Sequence, residues 1–328
     1  MNAIKSLMLA GGTLALIAGM AMAQDAPAPA AGRAAAARPA PRQMPTAWVP
    51  KMTPLSQYDA TNKPVAHLSE IRASHSKTAS WDMAIVRNKE MWADWHQLAA
   101  GASTPRVMFP DNRTGLIVWD GQVRVTVDGQ EPFVASKGFE INIPYRTPYK
   151  LETVGSAPAL YFQVRESDHL PLYPVDTNPE KPKDPAGYKY VKAMLTADVG
   201  KIDAGQKPYL DYYKDVIAAN GRGGAFIASD HFFMNNIRGM GVPTPPPTNL
   251  GHFHAEYTEF WFILEGKMEY LIEGIPDVVQ ADAGDVVIAA PGRFHRASFK
   301  AGQMDTRVAI NPFPQGEHNF TVTSGGTQ

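Results

Sequence analysis

Not one of the 328 residues is a cysteine. That absence excludes disulfides, thiolate metal sites and a cysteine nucleophile together. An excess of charge is missing too: 31 Lys and Arg face 32 Asp and Glu, for a formal net charge of −1. With both signs mixed along the chain, nothing favours nucleic acid or an anionic membrane surface as a partner. No twin arginine precedes the apolar run Leu7 to Met20 (LMLAGGTLALIAGM), and no cysteine follows it. The run is short for a membrane span. It lies between Lys5 and the small-x-small signature Ala21-Met22-Ala23. Residues 1–23 are therefore expected to be a signal peptide of the general export type, cleaved after Ala23. The product would be periplasmic or secreted, with no lipid or membrane anchor once the signal is removed.

Residues 24–46 are rich in Ala and Pro with Arg33, Arg38 and Arg42. They cannot bury a core and read as an extended linker. The remaining length suits two domains. Short alternating or apolar runs, broken by Gly, Pro and Asp, fill roughly 103–166 and 224–313, which is β patterning. The Pro- and charge-rich stretch from Pro171 to Lys189 separates them. The expected organisation is a first domain over 47–175, a connector over 176–223 and a second domain over 224–328. Helical spacing is limited to two places. Met91, Trp92, Trp95 and Leu98 share one side of a helix over Lys89 to Ala100; Leu210, Tyr213 and Ile217 do so over Pro208 to Asn220.

An internal repeat carries more information. Leu116 to Gly129 (LIVWDGQVRVTVDG) and Trp261 to Gly274 (WFILEGKMEYLIEG) both read as strand, acidic-Gly turn, strand, acidic-Gly turn. Each is followed by a proline (Pro132, Pro276) and by a glycine opening another apolar strand (Gly138, Gly284). A duplicated antiparallel barrel accounts for this register.

The second repeat opens on Gly251-His252-Phe253-His254-Ala255-Glu256-Tyr257-Thr258-Glu259. Residues two apart on a strand share a face, so His252 and His254 project together, and a return strand can present Glu259 beside them. Further on, Pro291-Gly292 makes a turn and His295 starts the next strand. Three imidazoles and a carboxylate form a borderline-hard donor set for one divalent transition metal ion, Fe, Cu, Zn, Mn or Ni, with room left for water or substrate.

These residues resemble the two motifs of the cupin superfamily. The first, His-x-His followed by Glu and then Gly, matches at His252, His254, Glu259 and Gly266; the second matches at Gly284, Pro291, Gly292 and His295. The family often has Asn a few residues after the last histidine, where this chain has Phe299. The resemblance implies an all-β chain of two double-stranded β-helix (jelly-roll) barrels with a few short helices, and metal ligation by His252, His254, Glu259 and His295. Projecting the ligands back by the 145 residues that separate Gly121 from Gly266 gives Val107, Phe109 and Thr114. Projecting His295 from Gly284 onto Gly138 gives Tyr149. That is no ligand set. The resemblance is therefore to a bicupin with a vacant first barrel, either a scaffold or an apolar pocket.

Alternation from Glu259 places Trp261 and Ile263 in the lumen as candidate substrate contacts, and Phe260, Phe262 and Leu264 on the outer face. That outer trio would pack on the sister barrel or on a second subunit, which raises the expectation of a homo-oligomer. Glu256 is a candidate proton acceptor, and Arg293 a candidate contact for an anionic substrate at the rim. The run Gly241 to Pro247 reads as a stiff loop over the barrel mouth. Function stays open among three readings. One is an enzyme on a small oxygenated or aromatic molecule, of dioxygenase type first, with isomerase and decarboxylase chemistry behind it. The others are a metal-dependent binding protein for a small ligand, and a purely structural metal.

Overall fold

The computed structural model describes residues 48–109, 113–166, most of 171–192, 207–229, 231, 233–241, 250–300, 302–312 and 318–320. Residues 1–23 and 24–46, expected to be a signal peptide and a linker, and most of the expected mouth loop, residues 242–249, lie outside the described residues. The chain enters on β1 (Val65–Ala66) and a short helix α1 (Leu68–Ser74). Eight strands follow: β2 (Trp81–Arg87), β3 (Met91–Leu98), β4 (Thr114–Asp120), β5 (Gln122–Val127), β6 (Phe133–Ser136), β7 (Phe139–Ile143), β8 (Tyr149–Thr153) and β9 (Ala159–Glu166). After β10 (Tyr209–Asp211) comes one stretch of π-helix, Tyr212–Ile217. The second set is β11 (Gly223–Ala228), β12 (Phe233–Met240), β13 (His252–Phe253), β14 (Glu259–Glu265), β15 (Lys267–Ile272), β16 (Val279–Asp282), β17 (Val286–Ala289), β18 (His295–Phe299), β19 (Met304–Asn311) and β20 (Asn319–Phe320).

Pairing among the described residues is antiparallel throughout. The first barrel closes a six-stranded sheet, β10-β7-β4-β9-β3-β2, over a three-stranded one, β6-β5-β8. The second closes β1-β17-β14-β19-β12-β11 over β16-β15-β18-β13-β20. The repeat seen in the sequence is thus a repeat in space. Gly121 and Gly266 make the tight turns β4–β5 and β14–β15, both at positive φ, 69° and 77°. A Cβ on Gly266 would collide with the Asp305 carboxylate, and one on Gly121 with the Pro158 carbonyl oxygen.

Two expectations change. The segment Lys89 to Ala100 is the strand β3, not a helix. Met91, Ala93 and Trp95 are fully buried on one face, while Trp92 turns the other way, between the guanidiniums of Arg87 and Arg165. Met91 and Trp95, four residues apart, share a face in either period, and pairing along all of β9 decides for the strand. In Pro208 to Asn220 the chain forms β10 and then the π-helix, which buries Tyr212 and Val216 rather than Tyr213.

The barrel boundaries also interleave. β1 precedes the first barrel yet pairs with β17 of the second, Val65 opposite Val287. β10, placed in the connector by composition, extends the first barrel at β7. Each short strand covers a sheet edge that would otherwise present unpaired backbone groups.

The described residues form three apolar clusters. One fills the first barrel around Phe109, Val125, Ile141 and Tyr149. Another fills the second around Trp261, Ile263, Tyr270 and Val287. The third lies between the barrels, where the two six-stranded sheets face each other. There the ring of Phe262 packs 5.5 Å from Trp95, 5.7 Å from Trp119 and 5.3 Å from Phe162. The outer trio Phe260, Phe262 and Leu264 therefore packs on the sister barrel.

Candidate metal centre

Strand β13 is two residues long and carries His252; His254 follows as the chain leaves the strand. His295 opens β18 directly opposite His252. Glu259 opens β14 and projects between them. The close approach of β13 to β18 depends on Gly251, whose φ is 78° and where a Cβ would strike the His295 carbonyl oxygen. Gly292 donates its N–H to the His254 carbonyl at 2.7 Å, tying the turn before His295 to the other two histidines.

One donor atom from each of His252, His254, Glu259 and His295 lies within 4.8 Å of the others. His254 Nε2 stands 3.0 Å and His295 Nε2 3.2 Å from the same oxygen, Glu259 Oε2. His252 Nε2 is 4.0 Å away, too far for a hydrogen bond, and is a buried nitrogen without a hydrogen-bond partner among the described residues. A buried, unpaired imidazole nitrogen aimed at a carboxylate that two other imidazoles already share is costly unless a cation sits among them. This arrangement fits a divalent transition metal ion bound by three nitrogens and one oxygen.

The protonation states agree. Burial pushes His252 down to about 3, which keeps it neutral. Burial alone would raise the Glu259 carboxyl, but the three imidazoles outweigh it and hold the group well below the usual carboxylate range. Neutral imidazoles and an ionised carboxylate are the forms that ligate. The far ring nitrogens are fixed as well. His254 Nδ1 is 2.7 Å from the Tyr257 hydroxyl, and His295 Nδ1 is 2.9 Å from the Arg293 carbonyl oxygen. The carbonyl, an acceptor only, selects the His295 tautomer that leaves Nε2 free to bind metal, while the Tyr257 hydroxyl, able to donate or accept, holds the His254 ring in place.

Three of the four side chains are nearly closed to solvent, His254 and His295 at 2% and Glu259 at 8%, while His252 is 22% exposed. The centre therefore opens on the His252 side. Trp261 and Ile263 lie in the barrel interior, the Trp261 ring 5.2 Å from His295.

The other candidates end elsewhere. Glu256 does not join the centre: β13 ends at Phe253, the chain bends at Ala255 and Glu256, and the carboxylate is exposed. Strand parity could not carry it inward once the strand had ended. Arg293 does not reach the rim. Its guanidinium is buried, donates to the carbonyl oxygens of Glu273 and Ser56, and stacks on Tyr58 at 4.5 Å. Lys51 joins the same lock, 2.7 Å from Glu273 Oε2 and 2.8 Å from the Gly292 carbonyl oxygen. Residues 51–58 thus form a strap from the start of the chain across the turn that presents His295. No residue pattern pointed to Tyr257, to this strap, or to His318, whose ring lies 4.4 Å from that of His252.

No family model matches the chain. Quercetin 2,3-dioxygenase of Bacillus subtilis (strain 168) is 23% identical to it over 224 residues, 60% of this chain and 65% of that protein. The chain thus spans slightly less than two thirds of that relative. Among solved structures, the Cupin 2 conserved barrel domain protein from Leptotrichia buccalis superposes with a TM-score of 0.52 at 10% identity, over 76% of this chain and 95% of that one. An oxalate decarboxylase variant from Bacillus subtilis gives 0.48 at 11% identity, over 80% of each chain. The likeness to the Leptotrichia protein shows the fold: two cupin barrels in one chain, a bicupin, with the His/His/Glu/His cluster in the second.

Proposed function

We propose that this chain is an exported, metal-dependent oxidoreductase of the dioxygenase type, acting on a small aromatic molecule that binds through a phenolate or enolate oxygen. The observation that carries the reading is the half-open centre: a buried set of three imidazoles and a carboxylate, closed on every side but that of His252. A site that only held the fold together would be closed by its four protein ligands, whereas a site for chemistry keeps a side open. The similarity to quercetin 2,3-dioxygenase supports a planar phenolic substrate.

A metal bound there would supply Lewis acidity towards an oxygen ligand and, if redox-active, electrons for oxygen chemistry. The protein does the rest. The Arg293 carbonyl holds the His295 imidazole in one tautomer, and the Tyr257 hydroxyl orients the His254 ring. Glu259 brings one negative charge into a buried apolar setting, which lowers the net charge of the ligated ion by one. Trp261 and Tyr270, with ring centroids 4.9 Å apart, wall the inner side and limit water there. Export rests on the N-terminal run Leu7 to Ala23.

The test is to load metal-free protein with Fe(II), Cu(II), Mn(II) or Zn(II) and follow oxygen uptake with phenolic, diketone and sugar-acid substrates. Oxygen consumption with a redox-active metal and a phenolic or diketone substrate is the expected result. Turnover with Zn(II) alone would place the protein among isomerases or decarboxylases. Metal-dependent binding without turnover on any substrate would make it a binding protein.

A further inference from the structure

The exposed side of the centre is covered from an unexpected direction. Near the end of the chain, β20 pairs with β13, Phe320 opposite His252 and Asn319 opposite Phe253. The Asn319 side chain fixes the register by donating to the Phe253 carbonyl oxygen at 3.2 Å. This pairing delivers His318, the residue just before β20, to the mouth of the metal centre. Its ring centroid is 4.4 Å from that of His252 and 5.0 Å from that of His254. Phe320 packs on the same ligand, 5.2 Å from His252.

His318 stands outside the group of donor atoms that converge within 4.8 Å. It is also exposed, whereas the assigned ligands are buried or nearly so. A molecule reaching the centre must pass His252, the one ligand open to solvent, and it meets His318 and Phe320 there. An imidazole can donate or accept a hydrogen bond, and Phe320 offers an apolar ring beside it. A polar group at a fixed distance from a coordination centre, flanked by an aromatic face, matches a planar molecule that ligates through one oxygen and carries a second oxygen nearby.

Building on the reading of an open metal centre for phenolates and enolates, we infer that His318 is the substrate-contacting residue of the mouth. Its ring hydrogen-bonds the second oxygen of a metal-bound catecholate or enediolate-like molecule, while Phe320 packs on the molecule's plane. Specificity for substrates with two neighbouring oxygens then comes from the end of the chain, not from either motif that supplies the ligands.

The experiment uses the full chain loaded with Cu(II), titrated with 4-nitrocatechol and followed by the visible band of the coordinated probe. Wild type, His318→Ala and His318→Gln are compared, with metal content measured on each. The expected result is one metal per chain in all three, with binding weakened roughly tenfold or more in His318→Ala, the scale of one hydrogen bond to a charged group. His318→Gln, which keeps a donor, should recover most of the loss. 4-Nitrophenol, with a single ligating oxygen, should bind wild type and His318→Ala alike. Equal catechol affinity in wild type and His318→Ala overturns the assignment. So does loss of metal from His318→Ala, which would make the residue a ligand. Failure of wild type to bind either probe would instead remove the open-centre reading, and this inference with it.

Discussion

Tyr149 occupies in the first barrel the place that His295 occupies in the second. His295 pairs with His252 across β13 and β18. Tyr149 pairs with Val107 through two backbone hydrogen bonds of 3.0 and 2.8 Å. Thr114, which takes the position of Glu259, hydrogen-bonds the Tyr149 side chain, and burial pushes that phenol up to about 12. The same geometry that gathers ligands in one barrel gathers a threonine, a tyrosine and two apolar residues in the other.

Tyr149→Phe should therefore leave metal content unchanged, whereas His295→Ala should lose most of it. Elemental analysis of the two variants side by side checks this. A comparable loss from both would mean that the first barrel contributes to ion binding.

The strap over the His295 turn gives a second expectation. Arg293→Met removes the buried guanidinium that bonds the Ser56 and Glu273 carbonyls and leaves those oxygens without their donor. A cost of about 3 kcal/mol follows from losing hydrogen bonds to a charged group. Metal affinity should fall too, because the Arg293 carbonyl orients His295 and its position depends on the strap. Thermal unfolding and a competitive chelator titration measure the two effects. Unchanged affinity in a destabilised Arg293→Met would limit the strap to holding the fold.

Between the barrels, Glu140 of β7 is completely buried and accepts a hydrogen bond of 3.0 Å from Asn236 of β12. Its second oxygen and the Asn236 carbonyl oxygen have no partner among the described residues. Burial pushes the Glu140 carboxyl up to about 7 from an ordinary 4.5. In that interval the folded chain keeps a proton that the unfolded chain has released. Its contribution is thus fully present at low pH and declines as pH rises from the unfolded value to about 7, then levels off, a total of about 3 kcal/mol. Glu140→Gln should flatten the pH dependence of denaturant midpoints over that range. A slope unchanged in Glu140→Gln would assign the dependence to other groups.

Much of this was legible in the sequence because turns and strand parity are local. The paired Asp120-Gly121 and Glu265-Gly266 turns exposed the duplication, and parity from Glu259 sorted Trp261 and Ile263 inward and Phe260 and Phe262 outward, as the structure has them. Parity failed one strand earlier, at Glu256, because β13 is too short to carry the alternation that far. The helical period misread Lys89 to Ala100 because Met91 and Trp95, four apart, share a face in a helix and in a strand alike, and only pairing with β9 separates the two. Non-local additions left no mark at all. β1 on the second barrel, the strap around Arg293, and β20 with His318 depend on contacts between residues more than sixty positions apart, to which no residue pattern points.

His252, His254, Glu259 and His295 form a site for one metal ion with a side left open. Its most direct test is elemental analysis, with Cu(II) electron paramagnetic resonance, of wild type, His252→Ala and Glu259→Gln. About one ion per chain is expected in wild type, with imidazole nitrogen couplings in its spectrum and a large loss of metal from both variants. Two ions per chain, or full metal content in His252→Ala, would contradict it.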